Sequence, residues 1–194
     1  MKIMITVKGH GSHLTREPPM LKTILIAVVA ALALLLIYAA TQPDSFRVER
    51  SIRINAQPDK VFALINDLHG FNTWNPFNKK DPAIKGGYSG AASGKGATYS
   101  WQSEKVGVGS MEIVDTAPPA KLTMKLDFVK PFEAHNIAEF TLTPEGDATQ
   151  VTWAMHGPSP YVSKLMQVFF SMDKIVGKDF EDGLANLKVL AEGR

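Results

Sequence analysis

Histidine and acidic side chains are the groups in this chain that could transfer protons or bind a metal ion. The chain has no cysteine, and its five histidines are His10, His13, His69, His135 and His156. Zinc sites take histidine, cysteine and carboxylate ligands at short spacings such as H-E-x-x-H, and no such spacing occurs here. The sequence therefore predicts no metal site, no disulfide and no thiol chemistry.

Motifs for hydrolysis and phosphate binding are also missing from the sequence. It contains no G-x-S-x-G nucleophile turn and no G-x-x-x-x-G-K-[ST] phosphate loop. Strand alternation places Asp127, His135 and His156 on a solvated outer face, while Glu112 is an acid that could approach a cavity rim. The sequence therefore identifies no catalytic constellation and predicts no cofactor.

Large apolar side chains form the second group of functional interest, because they can line a cavity for a hydrophobic ligand. Asn136 shares their parity and could bond to a ligand or face solvent at a strand end. Trp74 could gate the mouth of a cavity or anchor a loop. Ordinary core packing is the alternative role for every apolar candidate. The candidate wall residues are Tyr99, Trp101, Met111, Met124, Leu126, Phe128, Phe140, Trp153, Met155, Phe169 and Met172.

The elements that would position these residues follow from the spacing of apolar side chains. Residues 46–54 alternate as a half-buried strand. A helix is predicted from Pro58, a favoured first helical residue, to about Leu68. Residues 78–95 are rich in Gly, Lys, Ser and Pro, which indicates a loop with one edge strand near Tyr88.

The remaining part of the chain predicts a sheet followed by a helix. Five alternating segments between residues 97 and 155 are separated by short turns, which is typical of an antiparallel meander. From Tyr161 to about Ala191 the apolar period becomes helical, and we predict one long helix there. Such a helix can cover the concave face of the sheet, so the fold class is α+β.

An uncharged apolar segment, TILIAVVAALALLLIYAA, occupies residues 23–40. Its length as a helix is roughly 27 Å, close to the thickness of a bilayer hydrocarbon core, and it lacks a polar face. We therefore predict a transmembrane helix, flanked by Lys22 and by Tyr38 near the far interface. A cleaved signal peptide is the alternative, although Tyr38 is bulky where a small residue favours cleavage.

The charge distribution predicts how this helix would be oriented. Residues 1–22 carry four basic residues and one acidic residue, whereas residues 44–194 carry 17 basic and 18 acidic residues. Positive flanks stay in the cytoplasm, so residues 1–22 would be a cytoplasmic basic tail. The domain, after a linker at residues 41–45, would lie outside the cell membrane, in the periplasm if there are two membranes. Met20 is an alternative to Met1 as the start.

The domain resembles the SRPBCC superfamily of START/Bet v 1-like, polyketide cyclase/dehydrase-type proteins. The likeness is strongest in FRVERSIRINAQPDKVFALINDLHGFNTWNPF, with its Ala-x-Pro-x-x-Val-Phe and Trp-Asn-Pro-Phe motifs, and it covers residues 46–191. The resemblance implies a helix-grip fold, in which a seven-stranded antiparallel sheet wraps around the C-terminal helix and encloses an apolar cavity. Such proteins bind lipids, sterols and polyketides, and they share no universal catalytic motif.

These observations together predict a membrane-anchored protein that binds a hydrophobic small molecule or lipid in its cavity. An alternative is a cyclase- or dehydrase-like enzyme, which requires a buried acid or base such as Glu112, Tyr99 or a histidine. A third possibility is an interaction or stress-related structural protein whose cavity is vestigial, which a collapse of the cavity around Trp153 and Phe169 would favour. The near-neutral domain argues against a nucleic-acid partner, and the sequence leaves the oligomeric state open.

Overall fold

A computed structural model describes residues 19–193, in two units that divide between Thr41 and Gln42. The first unit consists of helix α1, Pro19–Ala40. Over Met20–Ala40 this is the one helix among the described residues that is long and apolar enough to cross a membrane. The segment predicted to span a membrane, residues 23–40, lies within it. Most of the predicted basic tail falls outside the described residues.

The second unit begins with one strand and three short helices. Proline starts two of these helices, Pro58 in α2 and Pro76 in α4, where its missing N–H group costs no hydrogen bond. Asp67 ends α2 in an extended conformation and its carboxylate then accepts a hydrogen bond from the His69 N–H, starting α3. The elements are β1 (Ser45–Ile54), α2 (Pro58–Asn66), α3 (Leu68–Trp74) and α4 (Pro76–Lys80).

Seven strands form a single antiparallel sheet in the order β1-β7-β6-β5-β4-β3-β2. Strand β1 returns to pair with β7, so that Ser45 lies opposite Pro158 and Ile54 opposite Thr149. This architecture confirms the predicted α+β helix-grip fold, including an edge strand that contains Tyr88. The further strands are β2 (Lys85–Gly90), β3 (Ala97–Ser103), β4 (Gly107–Ala117), β5 (Lys121–Lys130), β6 (Ala134–Glu145) and β7 (Ala148–Pro158).

The C-terminal segment contains two helices, so the prediction of one continuous helix was wrong. Helix α5 covers Tyr161–Phe169 and helix α6 covers Met172–Glu192. Phe170 and Ser171 between them have extended backbones. At the break Ser171 stands at the N-cap of α6 without a side-chain capping hydrogen bond, and Asp173 lies in the positively polarised first turn of that helix.

Helix α6 packs on the inner face of the sheet through a close aromatic contact. The rings of Trp153 and Phe180 stack with centroids 4.1 Å apart and planes 4° apart. A Cβ atom on Gly183 would lie 2.7 Å from the Trp153 ring, so only glycine permits this approach. Arg50, on the inner face of β1, donates hydrogen bonds to Asp173 and Glu181 of α6 at 2.7 and 2.8 Å.

We predict that Gly183→Ala destabilises the domain although alanine is the better helix former by about 1 kcal/mol. The new methyl group would overlap the buried Trp153 ring and Pro76, and overpacking of this kind costs about 1–3 kcal/mol. Urea unfolding of residues 42–194, followed by tryptophan fluorescence, measures the change. Gly177→Ala is the matched control.

The control substitution lies in the same helix, and its methyl group would meet the end of the Arg50 side chain, which can shift at some cost to its ion pairs, and not a packed ring. We expect Gly177→Ala to lose less stability than Gly183→Ala. A Gly183→Ala domain as stable as the wild type would contradict the tight helix–sheet contact.

Candidate functional site

An apolar cavity of about 170 Å³ lies between the inner face of the sheet and helices α3, α4 and α6. The sheet contributes ten side chains, all of them on the inward-facing positions of β3 to β7. Alternation along each strand sends every second residue to this face, which explains their spacing. These residues are Tyr99, Trp101, Met111, Met124, Leu126, Phe128, Ala138, Phe140, Trp153 and Met155.

Nine of the thirteen predicted site residues therefore lie around one cavity. They are Tyr99, Trp101, Met111, Met124, Leu126, Phe128, Phe140, Trp153 and Met155. The structure places them together because the antiparallel register aligns the inward positions of neighbouring strands, for example with Met111 opposite Leu126 and Phe140 opposite Trp153. Their role in binding a ligand stays a prediction.

The other four predicted residues do not line the cavity. Phe169 is 64% exposed on α5, because the helix break removes it from the stripe that covers the sheet. Met172 begins α6 and packs at the edge of the core. Trp74 is fully buried and donates from Nε1 to the Leu64 carbonyl at 3.0 Å, which fixes the end of α3 to α2. Asn136 is buried close to Gly157, away from the cavity.

The side of the cavity formed by helices and loops was not predicted. Its residues come from α3, α4, the β3–β4 turn and α6, which are distant in sequence from most of the strands. The Asn-Pro-Phe sequence is typical of the start of a helix, which here is α4 beside the cavity. Asn75 Oδ1 caps this helix by accepting a hydrogen bond from the Phe77 N–H at 3.1 Å. The residues on this side are Phe71, Asn75, Phe77, Asn78, Ile84, Val106, Val176 and Phe180.

Two polar contacts attach this wall to α6. Lys80 Nζ of α4 lies 2.6 Å from Asp179 Oδ2, and the Asp179 carboxylate is mostly buried. Asn186 Nδ2 donates to the Trp74 carbonyl at 3.1 Å. Because α6 also contacts the sheet, these bonds join both sides of the cavity through one helix.

The phenol of Tyr99 is the one ionisable group among the described residues that line the cavity. Burial raises the pKa of this phenol, the neighbouring Tyr88 raises the pKa further, and a hydrogen bond with Asn78 opposes both. Tyr99 is therefore a neutral hydrogen-bond donor and acceptor at physiological pH. Gly86 on the neighbouring strand makes room for it, because a Cβ there would lie 2.3 Å from the Tyr99 oxygen.

Two tryptophans of the wall have buried indole N–H groups. Trp101 Nε1 and Trp153 Nε1 have no hydrogen-bond partner among the residues that the structure describes. A buried donor without a partner costs about 1–3 kcal/mol. Neither nitrogen is accessible, so the surface that a ligand meets at these two positions is hydrocarbon.

Charged side chains stay away from the cavity within residues 19–193. Glu112 is exposed on the outer face of β4. Asp127 lies on the outer face of β5, where bonds to Lys125 and then to His135 lower its pKa. His135 Nδ1 lies 2.6 Å from Asp127 Oδ1, and His156 Nε2 lies 3.6 Å from Glu139 Oε2. No acid or histidine of the described chain is therefore placed to react with a molecule in the cavity.

A family model described as polyketide cyclase / dehydrase and lipid transport matches residues 45–192. This match covers the whole sheet and both C-terminal helices, and so includes every residue that lines the cavity. A comparison with proteins of curated function found no match.

Solved structures share this fold at low sequence identity. Protein MLL2253 from Mesorhizobium loti is 17% identical with a TM-score of 0.55, and the match covers 75% of this chain and 96% of that one. Ara h 8.0201 is 10% identical with a TM-score of 0.53, over 77% and 99% of the two chains. DynU16, from the dynemicin biosynthetic locus, is 19% identical with a TM-score of 0.53, over 79% and 49%. At these identities the likeness concerns the fold.

We predict that the Tyr99 phenol keeps its proton to a higher pH than an unfolded tyrosine, whose pKa is about 10. Since the folded pKa is raised, the stability linked to this group is present below pH 10 and is lost as the pH rises through the folded value. Carbon-13 NMR of labelled tyrosine rings follows the titration. Tyr99→Phe assigns the resonance, and Tyr161→Phe, at an exposed position, is the control. A Tyr99 midpoint at or below 10 would contradict the buried phenol.

Proposed function

We propose that this chain, which belongs to the polyketide cyclase / dehydrase and lipid transport family, binds a hydrophobic small molecule or lipid in its cavity. The apolar cavity of about 170 Å³ is the observation that carries the proposal. Protein interiors are packed to the density of organic crystals, and voids larger than a water molecule are few. An apolar space of this size under the sheet is therefore suited to hold a guest.

The size and surface of the cavity limit what it can hold. An apolar cavity of about 150 Å³ in another protein stays dry and binds benzene, so one aromatic ring or a short aliphatic chain fits the closed space. Longer ligands must extend through the side where Phe77, Ile84 and Val106 are only half-buried. The Tyr99 hydroxyl could hold one polar group of the ligand. Such a ligand is mainly hydrocarbon with one acceptor or donor.

A membrane anchor is the second component of the proposed function. Helix α1 is long and apolar enough to cross a bilayer. If α1 is not cleaved as a signal peptide, it tethers the domain to the membrane surface. A tether keeps the cavity close to membrane-derived ligands and raises their effective concentration. In this proposal the domain works outside the cytoplasm, because the basic residues precede the apolar segment at residues 23–40.

We predict that Ala138→Leu weakens ligand binding at least about tenfold, because the larger side chain fills space inside the cavity. The probe is N-phenyl-1-naphthylamine, whose fluorescence rises in apolar sites. The experiment uses residues 42–194, which form one compact unit. The structural match covers 96% of the Mesorhizobium loti chain.

Thr141→Leu is the matched control, on the exposed face of the same strand. It should bind the probe as the wild type does. Equal binding by all three proteins, or equal loss in both variants, would contradict a guest in the cavity. Mass spectrometry of solvent extracts from the purified wild type then identifies co-purifying apolar molecules.

A second candidate function is a cyclase- or dehydrase-like reaction on a hydrophobic carbonyl compound. It would use Tyr99, because a phenol with a raised pKa can donate a hydrogen bond to a carbonyl oxygen without ionising, although the Tyr99 oxygen lies against Gly86 of β2 and bonds with Asn78. The absence of a base among the described wall residues weighs against this candidate.

Tyr99→Phe tests the role of the phenol. We predict that it weakens binding of 2-acetylnaphthalene about five- to tenfold, the equivalent of one hydrogen bond, and leaves 2-ethylnaphthalene within about twofold. Calorimetric titration of both compounds measures the difference. Equal effects on the ketone and the hydrocarbon would mean that Tyr99 only fills space.

A further inference from the structure

Helix α5 exposes its apolar side and buries its lysine. Val162, Met166 and Phe169 stand at helical spacing on one face, and the first and last are 67% and 64% exposed. On the opposite side Lys164 is buried, with Nζ 2.5 Å from Asp44 Oδ1. The Lys164 bond lowers the pKa of the Asp44 carboxyl. This helix is therefore held with its apolar face toward its surroundings.

The end of β5 and the β5–β6 turn expose further apolar side chains. Val129 is 62% exposed and Phe132 is 66% exposed. The register places this turn at the same end of the sheet as α5, because β7 leads directly into α5 and Ile137, near the start of β6, lies opposite His156, near the end of β7. We call these exposed side chains the apolar rim. The apolar rim consists of Val129, Phe132, Val162, Met166, Phe169 and Phe170.

The half-exposed side of the cavity lies at the same end of the sheet. Phe128 is one residue before the rim residue Val129, and Val106 is in the β3–β4 turn. That turn is adjacent to the end of β5, since Val108 pairs with Lys130. The apolar rim therefore stands beside the opening of the cavity.

The chain connection brings this end of the sheet close to the end of α1. Ser45 at the start of β1 pairs with Pro158, and the Ser159 N–H donates to the Asp44 carbonyl at 2.7 Å. Four residue steps separate Ala40 from Asp44, and they span at most about 14 Å whatever the arrangement of the two units. A membrane-spanning α1 would thus keep this end of the domain near the bilayer surface.

We propose that the apolar rim inserts into the interface of a lipid bilayer and holds the cavity opening against the membrane. The inference rests on the proposed function, because it requires α1 to be a retained anchor. Exposed apolar groups gathered at one end of the sheet indicate an interaction site, and interfacial segments bury their apolar face about 5–10 Å into the boundary of headgroups and acyl chains. A hydrophobic ligand could then pass between lipid and cavity without crossing water.

The charges around the apolar rim indicate which lipid headgroups its binding to a membrane requires. Lys105 and Lys130 carry positive charge at this end, and Glu104 and Glu133 balance it. Lys164 is already paired with Asp44. Binding therefore depends on apolar burial and not on anionic headgroups, and vesicles of phosphatidylcholine are the correct probe.

Single cysteines test the insertion, since the chain has none of its own. Phe132→Cys and Phe169→Cys are each labelled with an environment-sensitive nitrobenzoxadiazole in the full chain, reconstituted in phosphatidylcholine vesicles. Asp147→Cys is the control, because it lies in the β6–β7 turn at the opposite end of the sheet. We expect doxyl lipids to quench the labels at 132 and 169 at least about threefold more than the label at 147.

Two results would overturn the proposal. One is that all three labels remain equally accessible to aqueous iodide and are not quenched by doxyl lipids. The other is that shielding at 132 and 169 depends on protein concentration and not on lipid, which would assign the rim to a second copy of the chain. If the labels stay in water while Ala138→Leu still abolishes probe binding, only the rim proposal fails. If the labels insert and Ala138→Leu has no effect, the cavity proposal fails and the rim remains.

Discussion

The contact between α6 and the inner face of the sheet is the constraint on which the other features depend. Trp153 stacks on Phe180 at 4.1 Å, and the absence of a side chain at Gly183 allows the helix to come that close. Around this contact the space is filled by buried side chains such as Leu184 and Leu187. Toward the start of α6 the contact loosens, and Val176 is only half-buried beside the cavity.

The cavity thus results from how one helix is fixed to a curved sheet. Arg50 ties the first half of α6 to β1 through Asp173 and Glu181, and Lys80 ties α4 to the same helix. The carboxylates that could serve as acids or bases are used in these pairs or lie outside, as Asp127 does. Chemistry inside the cavity is left to a neutral phenol and hydrocarbon walls, which is the surface expected for binding an apolar guest.

Strand alternation predicted nine of the ten sheet residues that line the cavity. Met124 and Leu126, for example, share a face by the two-residue period alone, and the antiparallel register then places them beside Met111 and Ala138. The helix side was beyond such reasoning, because Phe77 and Val106 reach the cavity through loops whose paths depend on long-range packing. The helix break at Phe170 was also missed, since the apolar spacing continues across it and only Ser171 and Asp173 mark a new start.

By itself the sequence determined the apolar N-terminal helix, the fold class and the inner face of the sheet, because periodicity and composition are local properties of the chain. Only the tertiary structure decided which of those side chains surround a cavity, because a cavity forms where elements that are distant in sequence do not pack closely together. The same holds for α5. Its apolar face turns outward because Lys164 reaches Asp44, 120 residues earlier, and no local pattern records a pairing over that separation.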